Sequence, residues 1–254
     1  MFIDTHCHLT SDNYENLELL IKEIEPNIII INGVDKQTNK EVINLANKYN
    51  HVYAAIGIHP EEVNNYSLED LEFIEENLNN SKIVAIGEVG LDYYWHKDNK
   101  EVQKELFRKQ IQIALKHNKP LIIHSRDAIE DTYNLLNEYN EKYNNLKFVL
   151  HCYGSSLEMA KRFLKMNVMF GIGGVLTFKN EKKLKEVVKE ISLNNILLET
   201  DSPYLSPEPL RGKINTPKNI PLIAEKIAEL KNIEIDKVLE ITTKNAISQF
   251  DLML

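Results

Sequence analysis

Eight short apolar, β-branched runs recur along this chain at intervals of roughly 20 to 40 residues, with helical patterns between them. They cover residues 2–5, 27–31, 52–58, 82–87, 120–123, 146–150, 167–172 and 195–198. A gap of that size holds a crossover helix and two loops, which is what parallel neighbouring strands require. Four isoleucines in succession at 28–31 suit a strand covered on both faces. Between the runs, Ser67, Leu68, Glu69 and Asp70 form a capping-box pattern. Phe107, Ile111, Ala114 and Leu115 make an i, i+4, i+7, i+8 stripe that packs on a sheet. Thr216 and Pro217 read as N-cap and first residue of a helix after the last strand. No linker, low-complexity tract or compositional shift divides the chain, so residues 1–254 are expected to form one domain. An α/β fold of the TIM-like (β/α)8 barrel type follows, and 254 residues is close to the ~250 typical of it. The alternative, an open doubly wound sheet, lacks a G-x-G-x-x-G after any strand.

The barrel places its chemistry where strands end, and the polar residues here gather at those ends. The first run leads into His6 and His8, spaced i and i+2, so one face of an extended chain presents both to a single metal ion. The fourth run ends at Glu88, the fifth at His124, the sixth at His151, and the eighth at Glu199, Thr200 and Asp201. Alone, an H-x-H pair or a single histidine is more often an ordinary polar or core residue. Four histidines and two carboxylates on one rim are what a two-metal hydrolytic site needs. Two divalent ions bring more charge than Glu88 and Asp201 return, which favours an anionic phosphodiester substrate over a neutral amide.

Composition narrows the partners. A formal charge of −8 argues against tight, nonspecific wrapping of duplex nucleic acid, though not against a nucleic-acid substrate at a metal-loaded site. The first strand carries chemistry by residue 6, leaving no room for a secretory leader, and no apolar run reaches membrane-spanning length. Two cysteines, Cys7 and Cys152, imply no disulfide framework, so a cytoplasmic location is the default. Nothing in the sequence calls for more than a monomer.

The motifs resemble those of the TatD family of metal-dependent deoxyribonucleases, within the amidohydrolase-like barrels. They are the segments 2–8 (FIDTHCH), 55–60 (AIGIHP), 85–94 (AIGEVGLDYY), 123–128 (IHSRDA), 151–152 (HC), 198–205 (LETDSPYL) and 211–213 (RGK), in the family order. The resemblance spans nearly the whole chain. It implies His6, His8 and Asp201 on one metal, His124 and His151 on a second, and Glu88 shared between them. It implies two divalent cations drawn from Mg, Mn, Zn or Co, and a 3′–5′ deoxyribonuclease acting on single strands or 3′ ends of DNA. In that scheme a metal-activated water attacks phosphorus, Asp201 accepts its proton, and Glu88 and Asp201 are the catalytic carboxylates. Three positions depart from the family pattern: Thr10, Gly154 and Thr216. None is a metal ligand, so they bear on substrate range.

On the substrate side, His59 ends the third run, and Arg126, Arg211 and Lys213 lie just beyond the fifth and eighth, where cations orient phosphates. Tyr93, Tyr94 and Trp95 are candidates for stacking on an unpaired base. Asp4 is expected one pleat below His6 on the same face, either as an acceptor for a ligating imidazole or as a buried carboxylate that serves barrel stability. Cys7 is expected on the opposite face, as an apolar filler. The alternative activity is ester or amide hydrolysis, such as deacylation of D-aminoacyl-tRNA, and the alternative class is a noncatalytic metal-dependent binding protein.

Overall fold

The isoleucines at 28–31 show how the layers are built. In the computed structural model, which describes every residue except 96, 97, 144 and 254, Ile28 and Ile30 belong to one buried cluster, and Ile29 and Ile31 to another. The first cluster draws Ile3, Tyr53, Val84, Ile122, Val149, Met169 and Leu197 from the other seven strands and fills the barrel. The second lies between the sheet and the surrounding helices. A fully buried side chain of this kind contributes roughly 1.5–3 kcal/mol, so both faces of the sheet stabilise the fold.

The strands are β1 (Ile3–Cys7), β2 (Ile28–Asn32), β3 (Val52–Ile56), β4 (Ile83–Asp92), β5 (Leu121–Arg126), β6 (Phe148–Leu150), β7 (Val168–Ile172) and β8 (Ile196–Leu198). They pair in sequence order, every neighbour parallel. The helices are α1 (Leu17–Ile24), α2 (Lys36–Lys48), α3 (Leu68–Asn77), α4 (Lys100–His117), α5 (Ile129–Lys142), α6 (Leu157–Phe163), α7 (Lys183–Glu190), α8 (Ile220–Lys231) and α9 (Ile235–Phe250). The barrel expected from the spacing is therefore present. Phe250 and Leu252, at the end of the chain, join the inner cluster, and Tyr53 donates its hydroxyl to the Met253 carbonyl (2.7 Å). That plugs the end at which the strands begin and leaves the opposite end for the site.

The seam between β8 and β1 is held differently from the others. His8 N donates to Ser202 O (2.7 Å) and Asp201 N to His6 O (3.0 Å), past the end of β8. Deeper in, the Asp4 carboxylate stands in for strand pairing, accepting from Thr200 N (3.0 Å), Thr200 Oγ1 (2.5 Å) and His6 N (3.2 Å). Of the two expected roles of Asp4, this is the one that serves barrel stability; only its place beneath His6 is corrected. The β1–β2 register slips by one residue between Asp4 and Cys7, so Asp4 pairs with Ile29 and the simple alternation that would put it under His6 is broken. It ties strands together and meets no imidazole.

Other boundaries move too. β4 runs five residues past Gly87, to Asp92, because Gly90 (φ 139°) lets it lie against β5; a Cβ there would sit 2.0 Å from His124 O. Thr216 and Pro217 open a short 3₁₀ turn, and α8 begins only at Ile220. The capping box at Ser67 is present, with Ser67 N donating to Asp70 Oδ2 (2.9 Å).

Candidate metal centre

At the end where the strands finish, one carboxylate organises four histidines. Glu88 is buried, and its two oxygens face different pairs. Oε2 lies 3.4 Å from His6 Nε2 and 3.2 Å from His8 Nε2. Oε1 lies 2.9 Å from His124 Nδ1 and 2.7 Å from His151 Nε2. Asp201 joins the first pair, with Oδ1 3.5 Å and 3.6 Å from the same two nitrogens.

The donor atoms are spaced as ligands of a common ion. His6 Nε2 and His8 Nε2 are 3.1 Å apart, and His124 Nδ1 and His151 Nε2 3.3 Å. Two nitrogens each ~2.0–2.1 Å from one cation at tetrahedral or octahedral angles are about 2.9–3.4 Å apart. Donor groups within 4.8 Å of one another include His6, His8 and Asp201, and His6, Glu88 and His151. Burial and the charge of His151 hold the His6 imidazole well below its usual range, so it is neutral and ready to ligate.

Outer contacts set which nitrogen faces inward. His8 Nδ1 donates to Asn32 O (3.1 Å), leaving Nε2 free. His124 Nε2 is 2.8 Å from Asp92 Oδ2, which presents Nδ1 to the centre. Asp92 is held in turn by Gln103 of α4, which bonds its backbone N and O (both 2.8 Å). Its other oxygen accepts from Tyr94 N (2.9 Å) and Trp95 N (3.1 Å), so one carboxylate orients a histidine and shapes the following loop. Asp92 was not singled out from sequence because β4 was ended at Gly87. Read as one longer strand, positions 88 and 92 share a face.

Glu199, which the sequence places at the end of the eighth run without a role, supports the centre from behind. It is fully buried, accepts from Cys152 N, and lies 3.9 Å from the otherwise unpartnered His151 Nδ1. Gly171 makes its room, since a Cβ there would stand 2.0 Å from Glu199 Oε2. Burial pushes this carboxyl well above its ordinary range, consistent with a neutral acid packed beside the histidine. Asp201 is also raised, by burial and by the charge of Glu88, and its backbone is left-handed (φ 55°).

His59 sits beside the cluster in a different role. Glu61 N donates to its Nδ1 (3.2 Å), so the neutral ring carries its proton on Nε2, which points at Glu88 Oε1 from 3.5 Å. It faces the centre as a donor. Arg126 is at the rim with its guanidinium 3.9 Å above the Tyr94 ring and 5.5 Å from that of Trp95. Arg211 and Lys213 are not brought to the centre: both are exposed, and Arg211 lies over Phe178 at 4.4 Å. Tyr93 is buried with its hydroxyl on Asp131 (2.7 Å), so it packs and offers no stacking face. Cys7 is buried in the sheet–helix layer, as expected.

In the metal-free protein burial depresses His124, but its bonds to Asp92 and Glu88 outweigh this and lift it to about 9. Metal binding must displace that proton. The apparent metal affinity is therefore expected to climb with pH through neutrality and level off above about 9. Calorimetric titration at pH 7 in buffers of different ionisation enthalpy should show proton release; its absence would remove His124 from the ligand set.

A (β/α)8 barrel with histidines and carboxylates gathered at the strand ends has the form of a metal-dependent hydrolase. Residues 3–251 match the family described as TatD-related DNase, and the chain belongs to that family. It is 44% identical to the metal-dependent hydrolase YabD of Bacillus subtilis, over 97% of each chain. It is 32% identical to human deoxyribonuclease TATDN3, over 98% of this chain and 94% of that one. Among solved structures, the TatD homologue YJJV of Escherichia coli superposes with a TM-score of 0.91 at 27% identity, covering 99% and 98% of the two chains.

Proposed function

We propose that this metal-dependent hydrolase cleaves phosphodiester bonds, as a 3′–5′ deoxyribonuclease using two divalent cations. The observation that carries the reading is the division of Glu88, one oxygen toward His6 and His8 and the other toward His124 and His151. A carboxylate so placed would help to hold two ions, one with His6 and His8 and one with His124 and His151, and two ions would suit an in-line displacement at phosphorus. Its relationship to a protein named as a deoxyribonuclease supports the DNA assignment.

Bound divalent ions, whether Mg, Mn, Zn or Co, supply Lewis acidity and lower the pKa of water. The chain's residues do the rest. Asp201, close to His6 and His8, takes the proton of the attacking water, a role its raised pKa suits. The water oxygen bonds to phosphorus while the bond from phosphorus to the 3′ oxygen of the preceding nucleotide breaks. That oxygen receives the proton, so the products are a 5′-nucleotide and a strand with a new 3′ hydroxyl. His59 Nε2–H is placed to donate to a phosphate oxygen, and Arg126 to hold it at the rim.

Purified protein given a 5′-labelled single strand with a free 3′ hydroxyl should shorten it from the 3′ end, with activity lost to chelator and restored by divalent metal. Turnover of D-aminoacyl-tRNA with no cleavage of the strand would move the assignment to carbonyl hydrolysis. Absence of turnover on both would point to the binding-protein alternative.

A further inference from the structure

Two clefts flank the histidine–carboxylate cluster and meet at it, with His124, Arg126, His151, Asp201 and Leu205 lining both. The cleft on the β5–β7 side holds about 570 Å³ and that on the β1–β4 side about 690 Å³. Each is in the ~300–1,000 Å³ range of small-molecule sites. What lines them differs.

Apart from the shared Arg126, the β5–β7 cleft sets Lys183 against Asp127 and adds the hydroxyls of Ser155 and Ser156. The β1–β4 cleft has Glu61 and Glu62 and, among the described residues that line it, no lysine or further arginine. Glu62 meets only the Asn65 amide (3.1 Å), and neither carboxylate has an ion-pair partner among the described residues. The same cleft is walled by two exposed aromatic side chains, Trp95 (60% exposed) and Tyr204 (57%), with Tyr204 beside His8 at 6.4 Å between ring centroids. One side of the cluster is thus polar and near neutral, and the other is aromatic and anionic.

A strand threaded through both clefts would place phosphates on each side of the scissile bond. Phosphate on the β1–β4 side would face Glu61 and Glu62, and like charges brought together in this way are costly. A unit with no further phosphate escapes that penalty, and its unpaired base meets the rings of Trp95 and Tyr204. We propose that the β1–β4 cleft receives the terminal nucleoside of a single strand as a free 3′ hydroxyl, excluding a 3′ phosphate. The remaining strand leaves past Arg126, with its phosphates on the side of Ser155, Ser156 and Lys183. The assignment rests on the nuclease reading and adds to it the chemistry of the strand end.

The test uses metal-loaded enzyme and short single strands that differ only in a 3′ hydroxyl or 3′ phosphate, with a 5′-phosphorylated strand as a further arm. The 3′ phosphate should lower kcat/KM by about tenfold or more, and the 5′ phosphate should leave it alone. Glu61→Gln combined with Glu62→Gln should narrow the gap between the two 3′ ends. Trp95 is the only tryptophan of the chain, so its fluorescence reports the cleft directly. A 3′-hydroxyl strand with non-hydrolysable methylenephosphonate linkages should quench it, and the matching 3′-phosphate strand should bind more weakly by a similar factor. Equal cleavage of both 3′ ends, or binding without quenching, would overturn the assignment and leave the nuclease reading standing. If no strand were cleaved under any metal, the nuclease reading beneath it would fall.

Discussion

Glu88→Gln is expected to keep the fold and lose nearly all turnover. Each oxygen of Glu88 faces a different pair of imidazoles, so the carboxylate joins the two halves of the centre. An amide of the same shape keeps the packing, but it presents one neutral oxygen and an NH₂ where two anionic oxygens stood. The protein shapes itself around the charged form: burial opposes ionisation, yet electrostatic attraction from the surrounding imidazoles and the bond from His124 hold Glu88 well below the usual carboxylate range. Loss of a partner one layer outside a metal costs ~10–100-fold, so loss of the bridging group itself should exceed ~100-fold in kcat. Far-UV circular dichroism, metal content and kcat on one strand decide it. Wild-type-like turnover with unchanged metal content would sink the two-metal scheme.

Asp201→Asn is expected to lower kcat by about 10²–10⁴-fold with a much smaller change in KM. The motivating geometry is Asp201 Oδ1 close to both His6 and His8 in the first half of the centre. A group that accepts the proton of the attacking water stabilises the transition state more than the bound substrate, so its removal appears in kcat. The measurement needs saturating metal, since asparagine also weakens ligation. A variant that raised KM and left kcat alone would make Asp201 a substrate-binding residue and require a different proton acceptor.

The legible part of this site is the part that depends on local periodicity. His6 and His8 share a face because strands alternate with a period of two, and Glu88, His124, His151 and Asp201 follow directly or closely on the ends of apolar runs. Asp92 was hidden by a boundary. A glycine at position 90 with positive φ let β4 continue to residue 92, and the apolar pattern up to Gly87 carries no sign of that. Glu199 is visible at the end of the eighth run, but its role is not, because its partners, Cys152 N and His151, come from the far side of a crossover.

The sequence by itself determined the eight strands, their parallel order, the metal-binding residue types and the family. These follow from repeated short-range patterns, each readable within a strand and its flanking loop. Only the tertiary structure decided how the pieces meet. A one-residue slip in β1 took Asp4 away from the histidines and gave it to the β8 seam, and the closure of the barrel set the two oxygens of Glu88 against different histidine pairs. It also kept Arg126 at the rim on Tyr94 while leaving Arg211 over Phe178. The physical reason is that distances across a barrel depend on register, twist and closure summed over all its strands, and no single segment of the chain encodes that sum.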